Sequence, residues 1–339
     1  MQLVINTYGS YLQKNGDCFK VRTDEKVFEI SCKKVASILI STAAYITTDA
    51  IKMAMDNNID IVFMDEHGDP YGRVWHPKLG STTLIRRRQL EIAETGEGLS
   101  LALEWVGAKF NNQIGLLQRL RQTRPHKSAE ITSYIEKLQN VMKGLDSVSG
   151  TVGESRGTIM GIEGSGGRIY FEALSSLMPD RFRFEGRSRN PAKDEFNALL
   201  NYSYGVLYSK VEKACIVAGL DPYVGFIHTD HYNKQSLVFD LIENYRVWAD
   251  ETVVNLFASR KVKVEHFDKI PNGLTLNKEG KALLISELNA SLDESIRYRG
   301  RNIKRDNIIQ FDCHRIANEL IKSESESASV SEGERRENG

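Results

Sequence analysis

The chain has 339 residues, 41% hydrophobic and 27% charged, and its 45 basic side chains are matched by 45 acidic ones. That length allows two domains with a substantial core, and no apolar run approaches the ~18 residues that would cross a bilayer. Zero net charge counts against a uniformly basic nucleic-acid binder, although a local patch of cations is enough to hold phosphates.

The first elements read as β. QLVINT is a short strand, and YLQKNGDCFKVR sets Asn15-Gly16 between two alternating stretches, a hairpin signal. KVFEIS and VASILIST continue the pattern. Thr47 or Thr48 caps a helix over DAIKMAMDNN, the strand IDIVFMD follows, and His67 to Pro70 turn into YGRVWHP. From about Thr83 the apolar period becomes helical, in LIRRRQLEIAE, SLALEWVGAKFNNQIGLLQRLRQ and five further segments. A short hairpin is expected around KVKVEHFDKIPNGLTLN. The fold class that follows is α+β, a small β-sandwich-like domain over 1–85 and a larger all-α domain over 86–322. Residues 323–339, SESESASVSEGERRENG, hold one large apolar side chain and are expected to be a disordered tail.

Cys18, Cys32, Cys215 and Cys313 are scattered, with no C-x-x-C pair, so neither a zinc ribbon nor a disulfide framework is supported. The opening MQLVINTYGSYLQKNG lacks the basic-then-apolar layout of a secretory signal. A cytoplasmic protein is expected.

Three stretches carry chemistry. Glu163 lies in MGIEGSGGRIYFEAL among Gly161, Gly164, Gly166 and Gly167, small residues that let a backbone or ligand come close. It reads equally as a capping glutamate near a helix N-terminus. His228 ends the apolar run YVGFIH, where a hydrogen-bonded structural histidine is the ordinary occupant. Asp240 and Glu243 lie in SLVFDLIENYR after Ser236, a candidate N-cap, and their i, i+3 spacing sets them on one helix face. Their neighbours are apolar, and burying two carboxylates without a partner is costly. An imidazole with several carboxylates is a ligand set for a hard divalent ion, the kind that activates phosphate esters.

Cations cluster nearby in sequence. Arg181, Arg183, Arg187, Arg189 and Lys193 fall in the loop after the Glu163 segment, and Arg297, Arg299 and Arg301 begin a second dense run. Arg86, Arg87 and Arg88 make a third. Such clusters suit a phosphodiester backbone, or else are solvated faces offset by acids.

These motifs resemble the Cas-one family, the integrase of CRISPR spacer acquisition. GIEGSGGRIYFEAL is similar to its glutamate motif. RNPAKDEFNALLNYSYGVLYSKVEKACIVAGLDPYVGFIH resembles its central block ending in the histidine, and SLVFDLIENYR its acidic motif. The similarity runs from the first strand to about residue 320. The resemblance implies a catalytic set of Glu163, His228, Asp240 and Glu243, with Mg2+ or Mn2+ held by Glu163, His228 and Glu243 and with Asp240 in or beside the first shell. Glu243 stands where many relatives have Asp, keeping the charge on a longer arm.

It further implies a prokaryotic homodimer joined through the β domain. Its partners would be double-stranded DNA, as prespacer and CRISPR repeat, and a dimer of the Cas-two protein. The implied activity is metal-dependent endonuclease and integrase chemistry that inserts foreign DNA as new spacers. A non-catalytic DNA-binding scaffold and a metal-dependent hydrolase of small phosphate esters are the alternatives.

Overall fold

The hairpin at Asn15-Gly16 forms as its sequence dictates. Strand β2 (Tyr11–Asn15) pairs antiparallel with β3 (Cys18–Arg22), closing at Asn15 opposite Cys18, and Gly16 takes the positive φ that the tight turn needs. The computed structural model describes residues 1–65, 67–74, 83–228 and 234–337, with side chains described through residue 321.

Strand β4 (Val27–Ser31) adds to β3, and β6 (Tyr45–Ile46) lies parallel to β2, giving one sheet in the order β4-β3-β2-β6. The second sheet joins β1 (Gln2–Ile5), β5 (Ser37–Ile40) and β7 (Asp60–Met64) in parallel, with β8 (Pro70–Val74) antiparallel at its edge. Helix α1 (Thr48–Asp56) supplies the crossover and is capped by Thr47, whose Oγ1 accepts from the Ala50 N–H at 3.3 Å. Leu3 and Ile5 of one sheet, Leu12, Phe19 and Val21 of the other, and Ala50 and Met53 of α1 belong to one buried cluster. The alternation read from the sequence thus turns each sheet's apolar face to a shared core.

The remaining elements are mostly helical: α2 (Thr83–Ile92), α3 (Gly96–Thr123), α4 (Ser128–Met142), α5 (Val152–Ser176), α6 (Glu195–Ala218), α7 (Ser236–Ile242) and α8 (Arg246–Ala258). The expected late hairpin is present as β9 (Phe267–Ile270) and β10 (Gly273–Leu276), with Asn272 left-handed in its turn. After α9 (Lys278–Asp293) comes a hairpin that helical periodicity had masked, β11 (Ser295–Tyr298) with β12 (Arg301–Lys304). Helix α10 then covers Arg305–Glu337. It takes in most of the acidic segment for which composition predicts disorder, a stretch rich in Glu and Ser and free of proline, compatible with helix.

Two compact units emerge, and neither is continuous in sequence. The first joins Met1–Lys78, Leu174–Ser209 and Trp248–Leu292; the second joins Leu79–Ala173, Lys210–Val247 and Asp293–Gly339. The first holds both sheets. Within it α6 presses on the turn before β8, because a Cβ at Gly205 would overlap the Gly68 carbonyl. The second unit holds the stretches of Glu163, His228, Asp240 and Glu243. Among the described residues, no helix is long and apolar enough to cross a membrane.

Candidate active site

Helix α3 is the spine of the site. Ala102, Val106, Phe110, Gln113 and Leu117 form its buried stripe at three- and four-residue intervals, with Trp105 beside it. Lys109 leaves from the same stripe, one turn after Trp105. Helix α5 lies close against it at Gly166, where a Cβ would run into the Phe110 ring. Glu163 is one turn before Gly166, so that contact brings it to Lys109. The ammonium nitrogen Nζ sits 2.5 Å from Glu163 Oε1, with Lys109 12% and Glu163 14% exposed.

Glu163 was expected near a helix N-terminus. It lies in the middle of the 25-residue α5 instead. The helix runs through all four glycines, each at a propensity cost of about 1 kcal/mol, and the packing that offsets it is made at Gly166. Gly166 alone of the four meets a neighbour; Cβ positions at Gly161, Gly164 and Gly167 face open space.

His228 arrives on a loop held at several points. Gln89 of α2, fully buried, donates to the carbonyls of Asp221 and Val224 at 2.9 and 2.8 Å and accepts from the Asp221 N–H at 2.9 Å. Phe226 meets Trp105 of α3 edge-on, ring centroids 5.3 Å apart. Gly225 passes so near Ser236 that a Cβ would clash at 2.5 Å. The last restraint is Asp240. Its Oδ2 accepts from the N–H groups of Phe226 and Ile227 at 2.6 and 3.2 Å, and its Oδ1 from the His228 N–H at 3.1 Å. Asp240 Oδ1 also lies 2.7 Å from His228 Nδ1. A carboxylate there accepts, so Nδ1 carries the proton and Nε2 is left as the basic nitrogen.

Asp240, expected in or beside the first shell, therefore stands behind His228. Its oxygens are taken by the loop and the ring, and its side chain is 0% exposed against 30% for His228. Burial works to lower the His228 pKa, but the Asp240 hydrogen bond and the charges of Asp240, Glu163 and Glu243 outweigh it and raise the pKa above 6.5.

Glu243 caps the C-terminal end of α7, ahead of α8. Asn112 of α3 fixes this turn by donating to the Asn244 carbonyl at 2.9 Å. Glu243 is only 6% exposed; Arg246 Nη1 lies 2.7 Å from its Oε1 and Lys109 Nζ 2.6 Å from its Oε2. Burial alone would raise its pKa, yet Arg246 and Lys109 prevail and hold the carboxyl at about 2. Reciprocally, burial would lower the Lys109 pKa, and Glu243 and Glu163 raise it.

Two carboxylates from separate elements thus meet at one cation beside an imidazole with a basic Nε2. The chemistry of these donors fits a hard divalent ion. A further sign is Glu243 Oε2, buried and lacking any hydrogen bond of acceptable angle despite the nearby ammonium. Among the described residues, no three His, Cys, Asp or Glu side chains are gathered closely enough to hold a metal as they stand. The Lys109 ammonium lies between the two glutamates instead. Residues 229–233, with His231, lie outside the described residues.

The arginines divide. Arg187, expected to hold nucleic acid, is spent on structure: it donates to Asn197 and Asn201 side chains, the latter at 2.8 Å, and lies over the Tyr204 ring. Arg181, Arg183, Arg189 and Lys193 are exposed in that loop, Arg183 pairing with Asp180 at 2.9 Å. The loop belongs to the first unit, whereas Glu163, His228 and Glu243 belong to the second. Arg297, Arg299 and Arg301 belong to the second and are exposed on the β11–β12 hairpin, Arg299 at its left-handed tip.

Sequence reasoning missed Lys109 and Gln89. The available signal was a cation and an amide falling on otherwise apolar helical stripes, where an unpaired polar group would be costly.

A family model described as CRISPR associated protein Cas1 matches residues 3–290. The chain is 34% identical over 322 residues to the CRISPR-associated endonuclease Cas1 1 of Archaeoglobus fulgidus, covering 91% of this chain and 93% of that protein. Among solved structures, a casposase bound to its integration product aligns with a TM-score of 0.83 at 23% identity, over 95% of this chain and 91% of that one. A chain of a Cas6-RT-Cas1–Cas2 complex aligns with a TM-score of 0.79 at 18% identity, over 95% of this chain and 35% of that one. At these identities the two structures establish a common fold.

Proposed function

Because this chain belongs to the CRISPR-associated Cas1 family, we propose that it is a metal-dependent DNA endonuclease and integrase. In this reading it inserts fragments of foreign DNA into a CRISPR array. The observation that carries the reading is the meeting of Glu163 and Glu243 at one cation, beside an imidazole that Asp240 holds. Glu163, Glu243 and His228 Nε2 would hold Mg2+ or Mn2+, which supplies Lewis-acid polarisation of a phosphodiester.

The chain's own residues do the positioning. Asp240 keeps the His228 Nδ1 proton in place and Nε2 free. Arg246 keeps Glu243 ionised at any working pH. Arg297, Arg299 and Arg301 neutralise backbone phosphates without reading sequence. The 3′-hydroxyl of the incoming strand attacks phosphorus in line, the new P–O bond forms, and the bond to the 3′-oxygen of the repeat breaks. With water as nucleophile the same site cuts DNA.

The partners proposed are double-stranded prespacer and repeat DNA, a second copy of this chain, and a Cas2-type dimer. The fold shared with a chain of a Cas1–Cas2 complex supports the last. A cytoplasmic location follows from these substrates.

An integration assay tests the reading, using the full chain, a Cas2-type partner, labelled prespacer and a supercoiled plasmid carrying a repeat. Joined product that needs Mg2+ or Mn2+ and disappears with Glu163→Ala is expected. Joining that persists in that variant, or in chelator, rejects it.

A further inference from the structure

Lys109 has no task in the chemistry just described, yet it occupies the centre of the site. Its ammonium lies 2.5 Å from Glu163 Oε1 and 2.6 Å from Glu243 Oε2, tying α5 to the turn between α7 and α8. Arg246 takes the other oxygen of Glu243 at 2.7 Å. The cluster is therefore balanced, two carboxylates against two fixed cations, before any ion enters.

A divalent ion added to that balanced set would bring a large excess of positive charge into a buried space, where like charges repel strongly. Withdrawing one resident cation reduces the excess. Arg246 is poorly suited to leave, since it pairs with Oε1, the Glu243 oxygen that Lys109 does not touch, and sits three residues away on the same segment. Lys109 touches the oxygens of both glutamates, and its flexible four-carbon stem can carry the charge elsewhere. Its contact with Glu243 is a close ion pair at Oε2, 2.6 Å away.

Resting on the metal-dependent reading above, we propose that Lys109 is a built-in counter-cation that holds Glu163 and Glu243 together in the metal-free protein. A divalent ion binds by displacing its ammonium from between them. Lys109 is thus a positioning residue that sets metal affinity by competition, and it keeps the acidic pair from repelling when no ion is bound.

The test uses the full chain and Mn2+ alone, free Mn2+ being followed by electron paramagnetic resonance, with thermal unfolding measured in chelator and in saturating Mn2+. Lys109→Met keeps the length and removes the charge. It should bind Mn2+ roughly tenfold tighter or more, and should unfold several degrees below wild type in chelator with the gap closed by Mn2+. Lys109→Arg should keep wild-type stability in chelator and bind Mn2+ no tighter than wild type. If Lys109→Met cannot be purified metal-free, isolation with Mn2+ followed by chelation reads the same competition, and unfolding confined to the chelated variant supports it.

An equal loss of stability with and without Mn2+ overturns the proposal, because a merely structural lysine behaves that way. So does unchanged or weaker Mn2+ binding. Glu163→Gln separates the two levels. If wild type binds Mn2+ through Glu163 while Lys109→Met binds no tighter, this proposal alone fails. If neither wild type nor Lys109→Met binds Mn2+, the metal reading fails and the proposal with it.

Discussion

His228 Nδ1 lies 2.7 Å from Asp240 Oδ1, and the same carboxylate collects the N–H groups of Phe226, Ile227 and His228. One buried side chain therefore fixes both the path of the loop and the tilt and tautomer of the ring it presents.

Asp240→Asn removes one acceptor and turns an amide NH2 toward groups that are themselves donors. Leaving one buried donor unpaired costs about 1–3 kcal/mol, so urea unfolding should record a loss of at least that size. Strand joining should fall by roughly 10- to 100-fold, as for other carboxylates that orient a ligating histidine. A variant as stable and active as wild type would remove Asp240 from this role.

The His228 pKa is raised in the folded protein above its ordinary 6.5. A raised pKa favours the protonated ring, so the stability it adds is fully present below 6.5 and is lost as pH rises through the folded value. Metal binding at Nε2 needs the neutral ring, so Mn2+ should bind more tightly across that same rise. Thermal unfolding in chelator, wild type against His228→Gln, should show a gap that narrows with increasing pH. A gap that widens contradicts the sign.

Gln89 reaches from α2 to residues 132 and 135 positions away and makes three hydrogen bonds to the loop before His228. Gln89→Ala strands two carbonyls and an N–H. A loss of about 1–3 kcal/mol is expected, with faster hydrogen exchange concentrated over 221–228. Uniform exchange throughout the second unit would instead mean a global effect.

Arginines singled out by the same sequence logic should behave differently. Arg187→Ala removes hydrogen bonds to Asn197 and Asn201 and should lower the melting temperature. Single alanine changes at Arg297, Arg299 and Arg301 should leave the melting temperature alone, weaken duplex DNA binding, and each reduce the salt slope by about one. Equal effects at Arg187 and on the hairpin, in either measurement, would contradict the division.

Turn chemistry and periodicity need only neighbours a few residues apart. That is why the Asn15-Gly16 hairpin, the Thr47 cap, the change to helix near Thr83 and the β9–β10 hairpin were legible in the chain. The stretches around Glu163, His228 and Glu243 stand out in the sequence as candidates, because ionisable groups inside apolar or glycine-rich runs are chemically conspicuous. Where the local signals competed, the reading slipped. Glycines around Glu163 suggested a helix start, although all four lie inside a long helix that packs on Phe110 at Gly166, and the apolar rhythm before Ser295 hid the β11–β12 hairpin.

The sequence by itself determined the element types over most of the chain and which side chains are able to bind a cation. Only the tertiary structure decided what each one meets. Lys109 lies 54 positions from Glu163, and Asp240 spends its charge on the loop and ring of His228. Arg187 likewise turns inward to two asparagines. The reason is that burial removes water as a partner, so every buried charge must find its match wherever packing brings one, and no local pattern records where that is.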